Sequence, residues 1–251
     1  MPTDFPSPLI LGHRGAKNYA PENTLAAFTL AMEQGAHGVE LDVKLSADGV
    51  VIVHHDMTVD RTTNGKGKVA QLSFAQLREL DAGSFFSEKY RGEKIPTLDE
   101  VFETIGRQAV INVELTNYST PRDSLVEKVC ELVRMHGLQA RIIFSSFFAG
   151  NLKKAAAFLP EVPRALLALD GWKGMWSRSF GFNFGDYYAT HPYFTDISHE
   201  QVLRVHKLKR KINVWTVNAE ADLRRMIQWG VDGIITDDPL AAVRVAREMA
   251  K

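Results

Sequence analysis

The chain has 251 residues, with 30 basic and 30 acidic side chains and a formal net charge of +0. This balance argues against nucleic-acid binding, which shows as a basic patch, and no run of roughly 18 apolar residues marks a membrane-spanning helix. The start, Met1-Pro2-Thr3-Asp4-Phe5-Pro6, has neither the basic nor the apolar region of a signal peptide, and the single cysteine, Cys130, has no internal disulfide partner. The expectation is a cytoplasmic protein without stable membrane association.

In chain order, apolar strand-like runs alternate with amphipathic helices. Pro8 to Gly12 reads as the first strand, followed by a helix from Asn23 to Gln34 with Gly35 behind it. Gly38 to Leu45 reads as the second strand. Ser46-Ala47-Asp48-Gly49 then turns the chain into a return run, Val50 to His54. The rhythm breaks over 57–95, which holds the polar Arg61-Thr62-Thr63-Asn64-Gly65-Lys66-Gly67 and a short helix from Leu72 to Leu80.

It resumes at Thr97, which with Glu100 forms a capping box. Further strands are expected at Ala109 to Leu115, Arg141 to Ser145, Arg164 to Leu169, Tyr187 to Ala189, Lys211 to Val217 and Gly233 to Thr236. Pro121 and Gly137 bound one of the intervening helices, where Cys130 sits among Val126, Val129 and Val133 as a small core residue. Ser198 to Lys209 and Ala219 to Trp229 read as helices, and Pro239 starts the last. Eight βα units in a chain of this length imply a (β/α)₈ barrel, a TIM barrel, as one domain over 1–251 with an inserted subdomain at 57–95.

The chemistry is concentrated at strand ends. In Gly38-Val39-Glu40-Leu41-Asp42-Val43, residues two apart share a face, so Glu40 and Asp42 stand together opposite Val39, Leu41 and Val43. Two adjacent carboxylates are costly to bury unless a cation or donors neutralise them. Glu114 repeats the pattern within Val110-Ile111-Asn112-Val113-Glu114-Leu115. Three such acids make an oxygen cage suited to Mg²⁺ or Ca²⁺. His13 and Arg14 follow the first strand, His55 and Asp56 follow the return run, and Trp215 lies on the seventh strand.

Taken in order, His13-Arg14-Gly15, Pro21-Glu22-Asn23-Thr24, Glu40-Leu41-Asp42, His55-Asp56, Arg61-Thr62-Thr63-Asn64-Gly65-Lys66-Gly67, Ile95-Pro96-Thr97-Leu98, Asn112-Val113-Glu114, Val214-Trp215-Thr216-Val217-Asn218 and Asp232-Gly233-Ile234-Ile235-Thr236-Asp237 resemble the signature of glycerophosphodiester phosphodiesterases. The resemblance implies a barrel with a small insertion. It also implies divalent-cation-dependent hydrolysis of small-molecule glycerophosphodiesters, such as glycerophosphocholine and glycerophosphoethanolamine, to glycerol 3-phosphate and an alcohol. By the same resemblance, Glu40, Asp42 and Glu114 hold the metal and His13 and His55 are the acid/base pair. The resemblance also implies that Arg14 binds phosphate and that Trp215 packs on the glycerol part, while Asn23 reads as a helix N-cap and Glu22 as a candidate to orient Arg14.

One position departs from that family. Thr116 stands where a lysine is usual, and Lys44, on the inner face with Glu40 and Asp42, or Asn117 can compensate. Two alternative readings accompany the main one. The first is lysophospholipase-D-like action on single-chain lipids, with Trp172, Met175, Trp176, Phe180, Phe182 and Phe184 as an apolar groove; the competing expectation for that stretch is ordinary core and loop packing. The second is a non-catalytic phosphoester-binding barrel.

Overall fold

The computed structural model describes residues 5–250, with the side chain of Phe180 excepted; the start Met1-Pro2-Thr3-Asp4 lies outside the described residues. Among the described residues nine strands form one sheet: β1 Leu9–His13, β2 Gly38–Leu45, β3 Val51–Val53, β4 Val110–Leu115, β5 Ile142–Ser146, β6 Arg164–Ala168, β7 Ala189–Pro192, β8 Lys211–Val214 and β9 Gly233–Thr236. All neighbours pair in parallel except β3, which returns antiparallel along β2. Because β1 pairs with both β2 and β9, the eight parallel strands close on themselves. Closure pairs every barrel strand on both sides.

Two apolar layers follow from the alternation along the strands. Val39, Leu41, Val43, Ile111 and Val113 face outward and pack with Phe28, Phe102 and Val129 of the surrounding helices. Leu9, Leu11, Val110, Ile143, Ala165 and Ile235 fill the barrel interior instead. Cys130 is buried in the outer layer, as the helical spacing implies, and burial pushes its thiol up to about 12. Register then sets the site: His13 pairs with Glu40, Glu40 with Asn112, and Asp42 with Glu114. Paired residues of parallel strands share a face, so these side chains converge at the strands' C-terminal ends.

Several boundaries differ from expectation. The helix after β4 is Leu125–His136, ended by Gly137 with φ 66; Pro121 lies in the preceding turn, where the Asp123 carboxylate accepts from Leu125 N at 3.0 Å. A helix at Ala149–Phe158, between β5 and β6, has no counterpart in the sequence reading. β7 lies later than expected, because its polar His191 and terminal Pro192 hide a strand that is fully buried. β8 stops at Val214, and Trp215 bends away to bridge Tyr193.

Residues between β3 and the helix Leu98–Ile105 pack on their own small cluster of Val59, Val69, Leu77, Ala82 and Ile95, with Ile52 of β3. Within them, a 3₁₀ turn at Val69–Gln71 precedes a helix at Phe74–Glu79, capped by Ser73 and Gln76. Among the described residues, no helix is long and apolar enough to cross a membrane.

Candidate active site

A cavity of about 250 Å³ opens at the C-terminal rim of the barrel. His13, Arg14, Glu40, His55, Asn112 and Glu114 form one wall, and Phe147, Leu167, Trp215 and Ile235 form the other. The structure thus gathers six of the residues singled out in sequence, with Asp42 beside them and Glu22 behind Arg14.

Glu40, Asp42 and Glu114 present carboxylate oxygens within 4.8 Å of one another. Glu40 is pushed well above the usual carboxylate range by burial and then by the charges of Asp42 and Glu114. Glu114 is raised to about 8 by burial and by Asp42, against the hydrogen bond that Tyr118 donates to its Oε1 at 2.8 Å. Burial also pushes Asp42 upward, but Arg14, His55 and a hydrogen bond from Asn23 outweigh it and hold the group low. Asn23 Oδ1 and Asn112 Oδ1 are buried without a partner. An all-oxygen set that is mutually repelled and bordered by unpartnered carbonyl oxygens fits a hard divalent cation.

The loop after β1 is shaped by three left-handed residues: Arg14 at φ 55, Gly15 at φ 90 and Asn23 at φ 57. At Gly15 a Cβ would meet Ala27 at 2.6 Å, so only glycine fits. The non-glycine pair costs about 1–3 kcal/mol each, the scale at which backbone strain gathers at functional sites. In return, Arg14 N donates to Glu40 O at 2.9 Å and Asn23 N to Arg14 O at 2.9 Å. Arg14 Nη1 donates to Glu22 Oε1 at 2.8 Å, and its Nε lies 3.3 Å from Asp42 Oδ2. Asn23 is not the helix cap expected from sequence. Thr24 takes that role, and the left-handed turn frees Asn23 Nδ2 to donate to Asp42 Oδ2 at 3.0 Å.

Each histidine at the cavity is oriented by a carboxylate. His13 Nδ1 lies 2.6 Å from Asp237 Oδ1, and its Nε2 is 4.0 Å from Glu40 Oε2. Burial lowers the His13 imidazole, partly offset by the Asp237 hydrogen bond. Asp237 is itself held by Asn218 Nδ2 at 2.8 Å; burial raises it, but His13, Lys17 and Asn218 bring it down to about 2. An Nδ1–H bonded to Asp237 leaves His13 Nε2 as the free basic nitrogen. His55 Nδ1 lies 2.6 Å from Asp56 Oδ1. The pairings with Asp237 and Asp56, and that of Tyr118 with Glu114, escaped sequence reading. The available signals were a carboxylate directly behind β9 and another directly behind His55.

Asn117 is engaged elsewhere, donating to Asp123 at 2.7 Å and accepting from Asn151 at 2.8 Å, so it is not available to replace the missing lysine. Trp215 is anchored by its Nε1, which donates to His191 O at 2.8 Å, and its ring meets the edges of Phe147 and Tyr193. In the aromatic stretch that follows β6, core packing holds for Phe182, which is fully buried. Trp172, Met175, Trp176 and Phe184 are 78%, 59%, 58% and 77% exposed, and the side chain of Phe180 lies outside the described residues.

The chain is similar to known proteins along nearly its whole length. The profile of the glycerophosphoryl diester phosphodiesterase family matches residues 13–241. A glycerophosphodiester phosphodiesterase of Caldanaerobacter subterraneus is 40% identical over 241 residues, covering 96% of this chain and 98% of its own length. The structure of an Oleispira antarctica phosphodiesterase, solved in complex with the product sn-glycerol-3-phosphate, is 31% identical with a TM-score of 0.87, covering 96% of this chain and 97% of its own. That of a glycerophosphodiester phosphodiesterase from Agrobacterium tumefaciens is 32% identical with a TM-score of 0.82, covering 94% of this chain and 98% of its own. A closed barrel, a rim of acids and paired histidines, and a match along nearly the whole chain give one conclusion: the chain belongs to the glycerophosphoryl diester phosphodiesterase family and is a phosphodiester hydrolase.

Proposed function

We propose that this enzyme hydrolyses glycerophosphodiesters such as glycerophosphocholine and glycerophosphoethanolamine to glycerol 3-phosphate and an alcohol, with one divalent cation, Mg²⁺ or Ca²⁺. The observation that carries the reading is the meeting of two carboxylate-oriented histidines with the buried Glu40 and Asp42 and the half-buried Glu114 at one cavity. In this reading Glu40, Asp42 and Glu114 hold the cation, which supplies positive charge to offset that of the phosphoryl oxygens. Arg14, fixed by Glu22, binds those oxygens as well.

The bond between phosphorus and the departing alcohol oxygen breaks. One histidine takes the proton of the attacking hydroxyl, and the other returns a proton to the departing oxygen, so that water is added overall. The attacking hydroxyl is the substrate's own, through a cyclic phosphate that water opens, or water itself. Trp215 packs on the glycerol carbons. Residues 57–95 act as an inserted subdomain of this single domain. A buried lone cysteine and a neutral overall charge accord with a cytoplasmic location.

The test is enzyme-coupled detection of glycerol 3-phosphate from glycerophosphocholine, with and without chelator. Release that chelator abolishes and added Mg²⁺ or Ca²⁺ restores is the expected result. Phosphoester binding without turnover would instead favour a non-catalytic barrel. The exposed Trp172, Met175 and Trp176 support a second reading, in which single-chain lipids are also cleaved. Choline release from lysophosphatidylcholine, compared with that from glycerophosphocholine, decides it. Loss of the lysolipid activity alone in Trp172→Gln/Trp176→Gln is the outcome that reading requires.

A further inference from the structure

The polar loop that opens with Arg61 lies outside the barrel. Its own bonds make it a firm mount. Val59 N donates to Gly67 O at 3.0 Å, Thr63 Oγ1 donates to Val59 O at 2.8 Å, and Gly65 N donates to Thr63 Oγ1 at 3.0 Å. Gly67 closes the loop at φ 120, where a side chain would be strained.

From this mount the Arg61 guanidinium grips two carboxylates at once. Its Nη1 donates to Glu22 Oε2 and its Nη2 to Glu22 Oε1, both at 2.8 Å. Its Nε donates to Asp56 Oδ2 at 2.7 Å and its Nη2 to Asp56 Oδ1 at 3.2 Å. Each of those carboxylates already holds a group at the cavity: Asp56 the His55 imidazole, Glu22 the Arg14 guanidinium.

We propose that Arg61 is a positioning residue that locks His55 and Arg14 into one frame, through Asp56 on one arm and Glu22 on the other. The proposal rests on the hydrolase reading above for the meaning of those two groups. The geometry favours it over an ordinary surface ion pair in two respects. Isolated exposed pairs contribute little, whereas here one planar fork makes four bonds to two acids and fixes both orientations. Glu22 is also buried, so its own placement depends on the cations that meet it. Arg14 and His55 belong to separate parts of the chain, the loop behind β1 and the segment behind β3. The Arg61 fork joins the two. A lysine would not serve, since one ammonium cannot reach both carboxylates in a planar fork.

The experiment compares Arg61→Ala, Arg61→Lys, Asp56→Asn and Glu22→Gln in full-length protein with divalent cation present. Two quantities are read: kcat for glycerophosphocholine, and the affinity for glycerol 3-phosphate by calorimetry. Asp56→Asn should lower kcat by roughly 10- to 100-fold with product affinity within about twofold of wild type. Glu22→Gln should weaken product binding by about tenfold. Arg61→Ala should do both, and adding Asp56→Asn to it should lower kcat by no more than the larger single effect, because the two changes cut one arm.

Arg61→Lys keeps the charge and the stem, so it reports on the fork even if the alanine variant does not fold. Either Arg61 variant, folded and within about threefold of wild type on both readouts, would overturn the assignment. So would strictly additive losses in the double variant. A wild-type protein without turnover would sink the hydrolase reading instead, while the product titration still decides whether Arg61 acts on Arg14.

Discussion

Lys44 Nζ donates to Thr116 Oγ1 at 2.6 Å, and Thr116 Oγ1 donates in turn to Val43 O at 2.7 Å. The ammonium of Lys44 therefore lies against Thr116, the position at which the family resemblance leads one to expect a lysine. Burial lowers its ammonium, while Asp42, Glu114 and Asp56 oppose that shift. Its positive charge comes from β2 and is felt by Asp42 and Glu114.

This pairing sets the first prediction. Lys44→Met should lower kcat/KM for glycerophosphocholine by about tenfold, the scale of one lost charge-assisted contact. Thr116→Lys alone should also lower it, because two ammoniums then compete for one space. Lys44→Met/Thr116→Lys should recover most of the loss. Kinetics at low and moderate ionic strength check this; a gain from Thr116→Lys alone would show that Lys44 does not fill the role.

Glu40, Asp42 and Glu114 should bind one divalent cation. Calorimetry on chelator-treated protein should give a single site for Mg²⁺ or Ca²⁺, and Glu114→Gln should weaken it at least tenfold. Cation at about a hundred times its Kd should stabilise the fold by about 2.7 kcal/mol, visible as a raised Tm. Unchanged binding in Glu114→Gln would remove that residue from the ligand set.

His13→Ala and His55→Ala should each lower kcat by roughly a hundredfold or more, the usual contribution of a placed proton-transfer group. Asp237→Asn should lower kcat by about 10- to 100-fold with the Tm little changed, since it disturbs the His13 tautomer and orientation rather than the packing. Steady-state kinetics with thermal melts separate these outcomes. Near-normal turnover in either histidine variant would make that residue structural.

Acid stability should depend on Glu22. Burial pushes this carboxyl upward, but the Arg61 hydrogen bonds and Arg14 bring it from 4.5 down to about 2. A group lowered on folding contributes stability that is present above pH 4.5 and is lost as pH falls through 2. Glu22→Gln should therefore be less stable than wild type at neutral pH by about 1–2 kcal/mol, a figure discounted because Arg61 is half-exposed. The gap should narrow between pH 4.5 and 2. Denaturant unfolding at several pH values tests this, and a gap of constant size would trace it to packing.

Much of this was readable because it is local. Period-two alternation in β2 and β4 marks Glu40, Asp42 and Glu114 as inward-facing before any coordinates exist. The barrel follows from the repeat of strand and helix. What stayed hidden depends on partners far apart in sequence or on backbone conformation. Asn23 looked like a cap because helix starts favour asparagine, yet its positive φ turns the side chain to Asp42. The segment Tyr187 to Ala189 places β7 too early, because burial inside a barrel suits a hydrogen-bonded His191 as well as an aliphatic residue, so no apolar run marks where it ends. Nothing local in Arg61 reveals that its fork spans Asp56 and Glu22.

The partner that orients His13 sits 224 positions further along the chain. During synthesis, His13, Arg14, Arg61, Glu40, Asp42, Glu114 and His55 leave the ribosome long before Asp237 does. Until β9 seals the ring against β1, that imidazole has no carboxylate to set its tautomer. The nascent chain thus lacks this partner for most of its growth, and the orientation of His13 arrives with the last strand.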